Sequence, residues 1–310
     1  MITGAAGLVG SYLSEICVES GFEVTAIDNF FRGDIKNLSA VINSPGFKFI
    51  EGDILDIGSL PLAEFDCVFH MAAVVATKFF YEGALDTFNN NCYGTKIMLD
   101  WAAAHKVKKF VNASSSEIYG HAQKIPTDEV TPSLFDAVEN TPRWSYALGK
   151  MLAEHIGNCY KDRFGICHLR YANIYGPRDI EENHVIPYLL KNIHEGRKIK
   201  INKNASSVRR SFLYASDAAN AAFLAAKNGV SGESYNIGSD HELSIAELVA
   251  AAFVICSAEV EVEYSLERAG DPERRLLDIS KARKTLGFDP AVTLEEGMKK
   301  TYEAILKSYE

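Results

Sequence analysis

The segment Ser114-Ser115-Ser116-Glu117-Ile118-Tyr119-Gly120 and the pair Tyr146 and Lys150 hold the side chains best suited to chemistry in this sequence. The segment follows an apolar run and offers a cluster of hydroxyls beside one carboxylate. Tyr146 and Lys150 form the single Tyr-x-x-x-Lys of the chain, and on a helix that spacing sets phenol and ammonium on one face. A phenol ionises near ~10, so it becomes a base at neutral pH only where positive charge favours the phenolate. Lys150 supplies such a charge, and an oxidised nicotinamide ring would add more. Removing a proton from a hydroxyl while hydride leaves the same carbon turns an alcohol into a ketone. The bland alternative is an ion-bearing helix surface, and the pair alone does not decide between the two.

A cofactor-binding pattern stands at the other end of the chain. Thr3-Gly4-Ala5-Ala6-Gly7-Leu8-Val9-Gly10 spaces three glycines at intervals of three, just before a helix-periodic stretch over 8–18. Such glycines allow a tight turn and close approach of a pyrophosphate to the helix N-terminus. The strand over 23–27 ends at Asp28, near the distance at which a carboxylate reaches the adenosine ribose hydroxyls. A carboxylate there repels a 2′-phosphate and so favours NAD over NADP, whereas Arg32 is the opposing signal. A doubly wound fold needs about five strand residues before the glycine turn, yet only Met1-Ile2-Thr3 precede Gly4. Either the numbering starts inside a longer chain or this strand is unusually short.

Further motifs extend the pattern: Gly52-Asp53-Ile54, His70-Met71-Ala72-Ala73, Asn91-Cys92-Tyr93-Gly94-Thr95, Arg170-Tyr171-Ala172-Asn173-Ile174-Tyr175-Gly176-Pro177-Arg178, Arg210-Ser211-Phe212-Leu213-Tyr214-Ala215-Ser216-Asp217 and Arg268-Ala269-Gly270-Asp271. In order and spacing the chain resembles, over nearly its whole length, the extended short-chain dehydrogenase/reductases of the NAD-dependent epimerase/dehydratase family, which act on nucleotide sugars. The resemblance implies NAD held by Gly4, Gly7, Leu8, Val9, Gly10, Asp28, Asn29, Arg32, Asp53, Ile54, Ala72, Ala73, Asn91, Tyr146 and Lys150. It implies catalysis by Tyr146, Lys150, Ser115 and Glu117, and substrate contacts from Ser115, Ser116, Asn173, Arg210 and Arg268, the two arginines gripping the diphosphate. Arg170 and Arg178 are ambiguous between substrate contact and structural ion pairing. Ser115 has a plain alternative as a turn serine, Asp53 as a turn cap and Glu117 as a solvated charge.

The resemblance further implies transient oxidation at C4 of a nucleotide-activated hexose, with 4-epimerisation favoured. The alternatives are 4,6-dehydration with Glu117 as base at C5, and decarboxylation of a uronate. Glu117 points towards both of these and Pro142-Arg143-Trp144 resembles decarboxylase sequence, while Ser116 replaces the Asp of the familiar dehydratase pattern. A reading of another class is an NAD-binding protein without turnover. Family members also commonly form homodimers through two long helices, here 85–104 and 145–164, with Leu148, Leu152, Ile156 and Cys159 as a candidate face.

Composition agrees with a large packed enzyme. At 310 residues, 47% hydrophobic and 24% charged, the chain can bury a sizeable core. A formal charge of −9 argues against nucleic-acid or anionic-membrane partners. Six cysteines without a C-x-x-C pair suggest a reduced, cytoplasmic setting. Eight histidines without His-x-x-x-His spacing give no reason to expect a metal. No stretch predicts a membrane span or a secretory leader.

Strand-like runs over 48–51, 67–70, 109–113 and 166–170 alternate with helical stretches over 85–104 and 145–164. This predicts an α/β fold, a doubly wound (Rossmann) parallel sheet with a smaller α/β C-terminal substrate-binding lobe. Residues 1–176 are expected to form mainly the NAD-binding domain and 177–310 mainly the nucleotide-sugar lobe, the two interleaving along the chain. Further helices are expected over 215–227 and 294–306.

Overall fold

A computed structural model of the chain describes residues 1–75, 83–137, 144–179, 184–265 and 273–309. Strands β1 (Ile2–Thr3), β2 (Val24–Asp28), β3 (Phe47–Glu51), β4 (Cys67–His70), β5 (Lys109–Ser115) and β6 (Gly165–Tyr171) build the central sheet. Beyond them lie β7 (Ile174–Tyr175), β8 (Ile199–Asn202), β9 (Arg209–Ser211), β10 (Leu213–Tyr214), β11 (Glu233–Ile237), β12 (Glu242–Ser244), β13 (Val262–Ser265) and β14 (Arg274–Arg275). Strand β11 returns to the sheet beside β6, giving seven strands in the order β11-β6-β5-β4-β1-β2-β3. Every neighbouring pair in it is parallel. The order reverses between β1 and β4, and the crevice at the carboxyl ends of such strands is where open α/β sheets bind ligands.

The helices are α1 (Leu8–Glu19), α2 (Ala84–Phe88), α3 (Thr95–Ala104), α4 (Trp144–Asn158), α5 (Val185–His194), α6 (Ala215–Asn228), α7 (Ile245–Cys256), α8 (Ser280–Leu286) and α9 (Leu294–Lys307). One face of the sheet is covered by α1 and α6, where Ala218, Ala219, Ala222 and Ala225 let the backbones approach Leu13 and Cys17. Met98, Leu99, Trp101 and Ala102 of α3 cover the other face with Phe110 and Ile166. Burial on both faces explains why the strands read as continuous apolar runs rather than alternating ones. A separate core joins Leu189, Leu190 and Ile193 of α5 to Leu248 and Val249 of α7 and Met298 of α9.

Two expected helices differ in detail. The stretch over 85–104 is interrupted between α2 and α3 by a π-helical segment, Asn89–Gly94. There Asn91 Nδ2 donates to the Thr87 and Val74 carbonyls, each at 2.8 Å. The stretch over 145–164 leaves the α-helix at Asn158, where the chain tightens into three-residue turns such as Cys159 N–H to the Ile156 carbonyl. Strand β1 contributes two residues rather than five, but Ile2 and Thr3 are paired on both sides. Among the described residues no helix is long and apolar enough to cross a membrane.

Candidate active site

At the carboxyl end of the sheet a cleft of about 900 Å³ runs from the glycine turn to the substrate lobe. Its glycine-turn end is built by steric exclusion. Gly4 adopts φ +65°, and a Cβ there would lie 2.7 Å from Ala72 backbone atoms; one on Gly10 would lie 2.1 Å from the Gly4 carbonyl oxygen. No side chain caps α1 at Gly7, so the helix presents its first N–H groups to the cleft. Leu8, Val9, Asn29, Arg32, Asp53, Ile54, Ala72 and Ala73 line the walls with Gly4, Gly7, Gly10 and Asp28.

Asp28 is fixed by two backbone donors, Ala6 N–H to Oδ2 at 2.9 Å and Phe30 N–H to Oδ1 at 2.8 Å. Burial raises its pKa and those N–H groups oppose the rise. Asp53 lines the cleft and also caps the turn over Ile54–Ser59, accepting from Leu55 N–H at 2.8 Å and from Asn29 Nδ2 at 2.8 Å. Asp28→Asn removes the charge while keeping the shape. It is expected to weaken NAD binding about tenfold, an interaction of ~1.4 kcal/mol, and to narrow the preference over NADP in a titration of both cofactors. Unchanged preference would leave Asp28 without that role.

The middle of the cleft brings together Ser115, Glu117, Tyr146 and Lys150. Tyr146 and Lys150 lie on the sheet-facing side of α4 and are 6% and 1% exposed. Lys150 Nζ donates to the Ala113 carbonyl at 2.7 Å. Ser115, the last residue of β5, accepts from Glu117 N–H at 3.2 Å, which leaves its own proton for the hydrogen bond it makes to Tyr146. It is therefore both a turn serine and a partner of the phenol. Burial pushes Tyr146 up to about 12; Ser115 and the charge of Arg32 pull it down, and Glu117 pushes it up. Burial draws Lys150 down to about 8, with Glu154 opposing.

Ser116 and Glu117 line the next part of the wall. Glu117 is not a solvated charge: its Oε1 accepts from Arg275 Nη1 at 2.6 Å, and the two side chains are 17% and 10% exposed. The second amino group of Arg275, Nη2, is buried and makes no hydrogen bond among the described residues. Asn173 also lines the cleft, at φ +41°. That is a left-handed conformation asparagine tolerates better than most side chains, and it is held by Nδ2 donating to the Ser211 carbonyl at 2.8 Å.

Two expected residues do not line the cleft, and a third is not among the described residues. Asn91 is buried behind the cleft, where its amide exchanges hydrogen bonds with Val74 and braces the segment after β4. Arg210 is buried and donates to the Arg209 and Glu273 carbonyls at 2.8 and 3.1 Å. Arg268 lies outside the described residues, as do Pro142 and Arg143. Arg170 is an ion-pair former with Glu154 on the far side of α4. Arg178 lines the cleft while pairing with Glu15 and covering the Tyr12 ring at 4.0 Å.

Arg275 was not singled out by sequence. The available signal was the doublet Arg274-Arg275, which pairs in parallel register with Arg209-Arg210. Strand alternation then places Arg275 and Arg210 on one face.

Comparisons with known proteins agree with this fold. The family model described as "NAD dependent epimerase/dehydratase family" matches residues 1–238. A UDP-glucose 4-epimerase of Mycolicibacterium smegmatis is 32% identical over 98% of this chain and 97% of its own length. A UDP-N-acetyl-alpha-D-glucosaminuronate decarboxylase of Bacillus cytotoxicus is 33% identical over 98% and 96%. The crystal structure of a dTDP-glucose 4,6-dehydratase from Streptomyces venezuelae with NAD bound superposes with a TM-score of 0.88 at 26% identity, covering 99% of this chain and 96% of that one. With the glycine turn, the seven-stranded parallel sheet and the Tyr146/Lys150 pair in place, the chain belongs to the NAD-dependent epimerase/dehydratase family of extended short-chain dehydrogenases/reductases.

Proposed function

We propose that the protein oxidises C4 of a nucleotide-activated hexose transiently and returns the hydride in the same cycle. The observation that supports this most is the hydrogen bond from Ser115 to Tyr146 on the floor of the glycine-turn cleft, with Lys150 one turn further along α4. NAD, which the glycine turn and Asp28 would hold, would supply the hydride acceptor and a positive charge that favours the phenolate. Ser115 orients the C4 hydroxyl, Tyr146 takes its proton, and Lys150 holds the nicotinamide ribose while adding positive charge behind the phenol. The substrate diphosphate is assigned to the lobe side, with Arg210 and Arg268 as its candidate partners.

The simplest net reaction is 4-epimerisation, since returning hydride to the opposite sugar face asks nothing more of the protein. The Glu117–Arg275 pair favours a second reading. Burying two charges costs several kcal/mol per ion before their attraction is counted, and a pure 4-epimerase has no step that uses them. A carboxylate at that place suits removal of the C5 proton in a dehydration. A guanidinium with an unused amino group suits the C6 carboxylate of a uronate that leaves as carbon dioxide.

Incubation with UDP- and dTDP-hexoses and hexuronates, read by product mass, decides among these. Unchanged mass with a new sugar isomer supports epimerisation, loss of water dehydration, and loss of carbon dioxide decarboxylation. No product, and no absorbance near ~340 nm from reduced cofactor, would overturn the enzymatic reading in favour of an NAD-binding protein without turnover.

A homodimer through α2, α3 and α4 belongs to the same proposal. Of the expected face, Leu152 is 41% exposed and Cys159 is exposed just past the end of α4, whereas Ile156 packs against the core beneath α3; Leu85 of α2 is 71% exposed. Light scattering at micromolar concentration is expected to give twice the chain mass; a monomer counts against it.

A further inference from the structure

Behind Lys150, away from the cleft, lies a buried charged pair to which the reaction above gives no task. Glu154 follows Lys150 by one helical turn, a spacing that brings side chains within about 6 Å, and is 5% exposed. Arg170 on β6 grips it: Nε donates to Oε1 at 3.0 Å and to Oε2 at 3.2 Å, and Nη2 donates to Oε2 at 2.7 Å. Ser234 Oγ donates to Oε2 at 3.1 Å. The remaining Nη1 of Arg170 donates to Tyr119 Oη at 2.8 Å and to the Glu129 carbonyl at 2.9 Å. Arg170 thus ties α4 to the end of the turn that carries Ser116 and Glu117.

We propose that Glu154 is a positioning residue for the proton relay: held in place by Arg170, its carboxylate keeps the Lys150 ammonium charged in a site too dry to hold that charge alone. An ammonium removed from water gives up its proton readily unless an anion lies close. Burial is the main influence drawing Lys150 down, and Glu154 is the carboxylate that opposes it. The other groups facing this region do not replace it. From β4, His70 is neutral, pushed to about 3 by burial and by Lys150 itself, and it is locked between the Thr3 and Thr95 hydroxyls at 2.9 and 3.2 Å. From β6, His168 is neutral, lowered to about 4 by burial, and Arg170 is cationic. On α4 itself Tyr146 is the group Lys150 serves, and from the neighbouring turn Glu117 is committed to Arg275.

This assignment rests on Lys150 serving the relay, so its test reads the lysine directly as well as turnover. In the NAD-loaded enzyme carrying 13C-labelled lysine, the Lys150 signal is identified by its loss in Lys150→Met and titrated by NMR. Glu154→Gln leaves Arg170 as an unopposed cation nearby and is expected to lower the Lys150 midpoint by at least about one pH unit. The alkaline limb of kcat/KM should move down with it, with KM for the sugar nucleotide little changed. Glu154→Asp keeps the charge at a slightly greater distance and should give an intermediate midpoint with most of the turnover restored. A Lys150 midpoint unchanged in a folded Gln variant overturns the proposal. Where that variant does not fold, an Asp midpoint equal to the wild-type value overturns it. A midpoint that moves while the alkaline limb stays put removes Lys150 from the relay and the proposal with it.

Discussion

Tyr146→Phe is expected to lower turnover by at least about 10²-fold, the usual contribution of a positioned general base, while NAD binding stays close to wild type. The ring volume is preserved in a residue that is 6% exposed, so the fold should persist and the loss should fall on kcat. The pH dependence gives the expected loss its signature. Burial holds the phenol up at about 12, with Ser115 and Arg32 pulling it down and Glu117 pushing it up. Since the active form is the phenolate and its pKa is raised, the wild-type rate should climb with pH on the acid side and level off only where the phenol ionises in the cofactor complex. The Phe variant should lose that climb. Removing the Glu117 charge eases ionisation and should shift the acid limb to lower pH. A Phe variant with near-normal turnover would take the base assignment away from Tyr146.

Glu117→Gln carries the second large effect, because it acts on reaction and stability together. If the enzyme removes the C5 proton, the variant should stall at the 4-keto sugar, with absorbance from reduced cofactor near ~340 nm and a rate loss of about 10²–10⁴-fold. If it only epimerises at C4, the rate should persist and no solvent deuterium should enter at C5. In either case Arg275 is left charged, buried and unpaired. Breaking a buried pair on one side costs about 3–5 kcal/mol, so the thermal midpoint should fall clearly. Adding Arg275→Met to the same chain removes the stranded charge and should recover most of that stability. A single variant as stable as wild type would mean that the pair is not desolvated as described, and calorimetry reads this without reference to activity.

Much of the site was legible because its parts are local in sequence. The spacing of Gly4, Gly7 and Gly10 already encodes a turn that no side chain can enter, and the structure supplies only the obstacles, the Ala72 backbone and the Gly4 carbonyl. Tyr146 and Lys150 share a helix face by periodicity alone. Asp28 ends its strand, so its place at the sheet's carboxyl edge follows from the strand itself. The π-helical turn at Asn89–Gly94 was not legible, because it depends on Asn91 reaching the Val74 carbonyl, across a stretch whose approach only the packed sheet sets.

By itself, then, the sequence determined the doubly wound class, the glycine turn and the shared helix face of Tyr146 and Lys150, because each is a short-range pattern whose geometry is fixed by backbone period and steric exclusion. Only the tertiary structure decided what the charges do. Glu117 and Arg275 stand 158 positions apart and meet because β14 pairs with β9 in a register that turns Arg275 towards the cleft. The same register brings Arg210 beside Arg275, yet its guanidinium donates to the Arg209 and Glu273 carbonyls and does not line the cleft. Glu154 lies one turn from Lys150 by helix period alone, but it can stay buried there as a carboxylate because β6 delivers Arg170 to it. A buried charge persists only where the fold brings a counter-charge or hydrogen-bond partners within a few ångström, and that proximity is a property of the packed chain rather than of any segment.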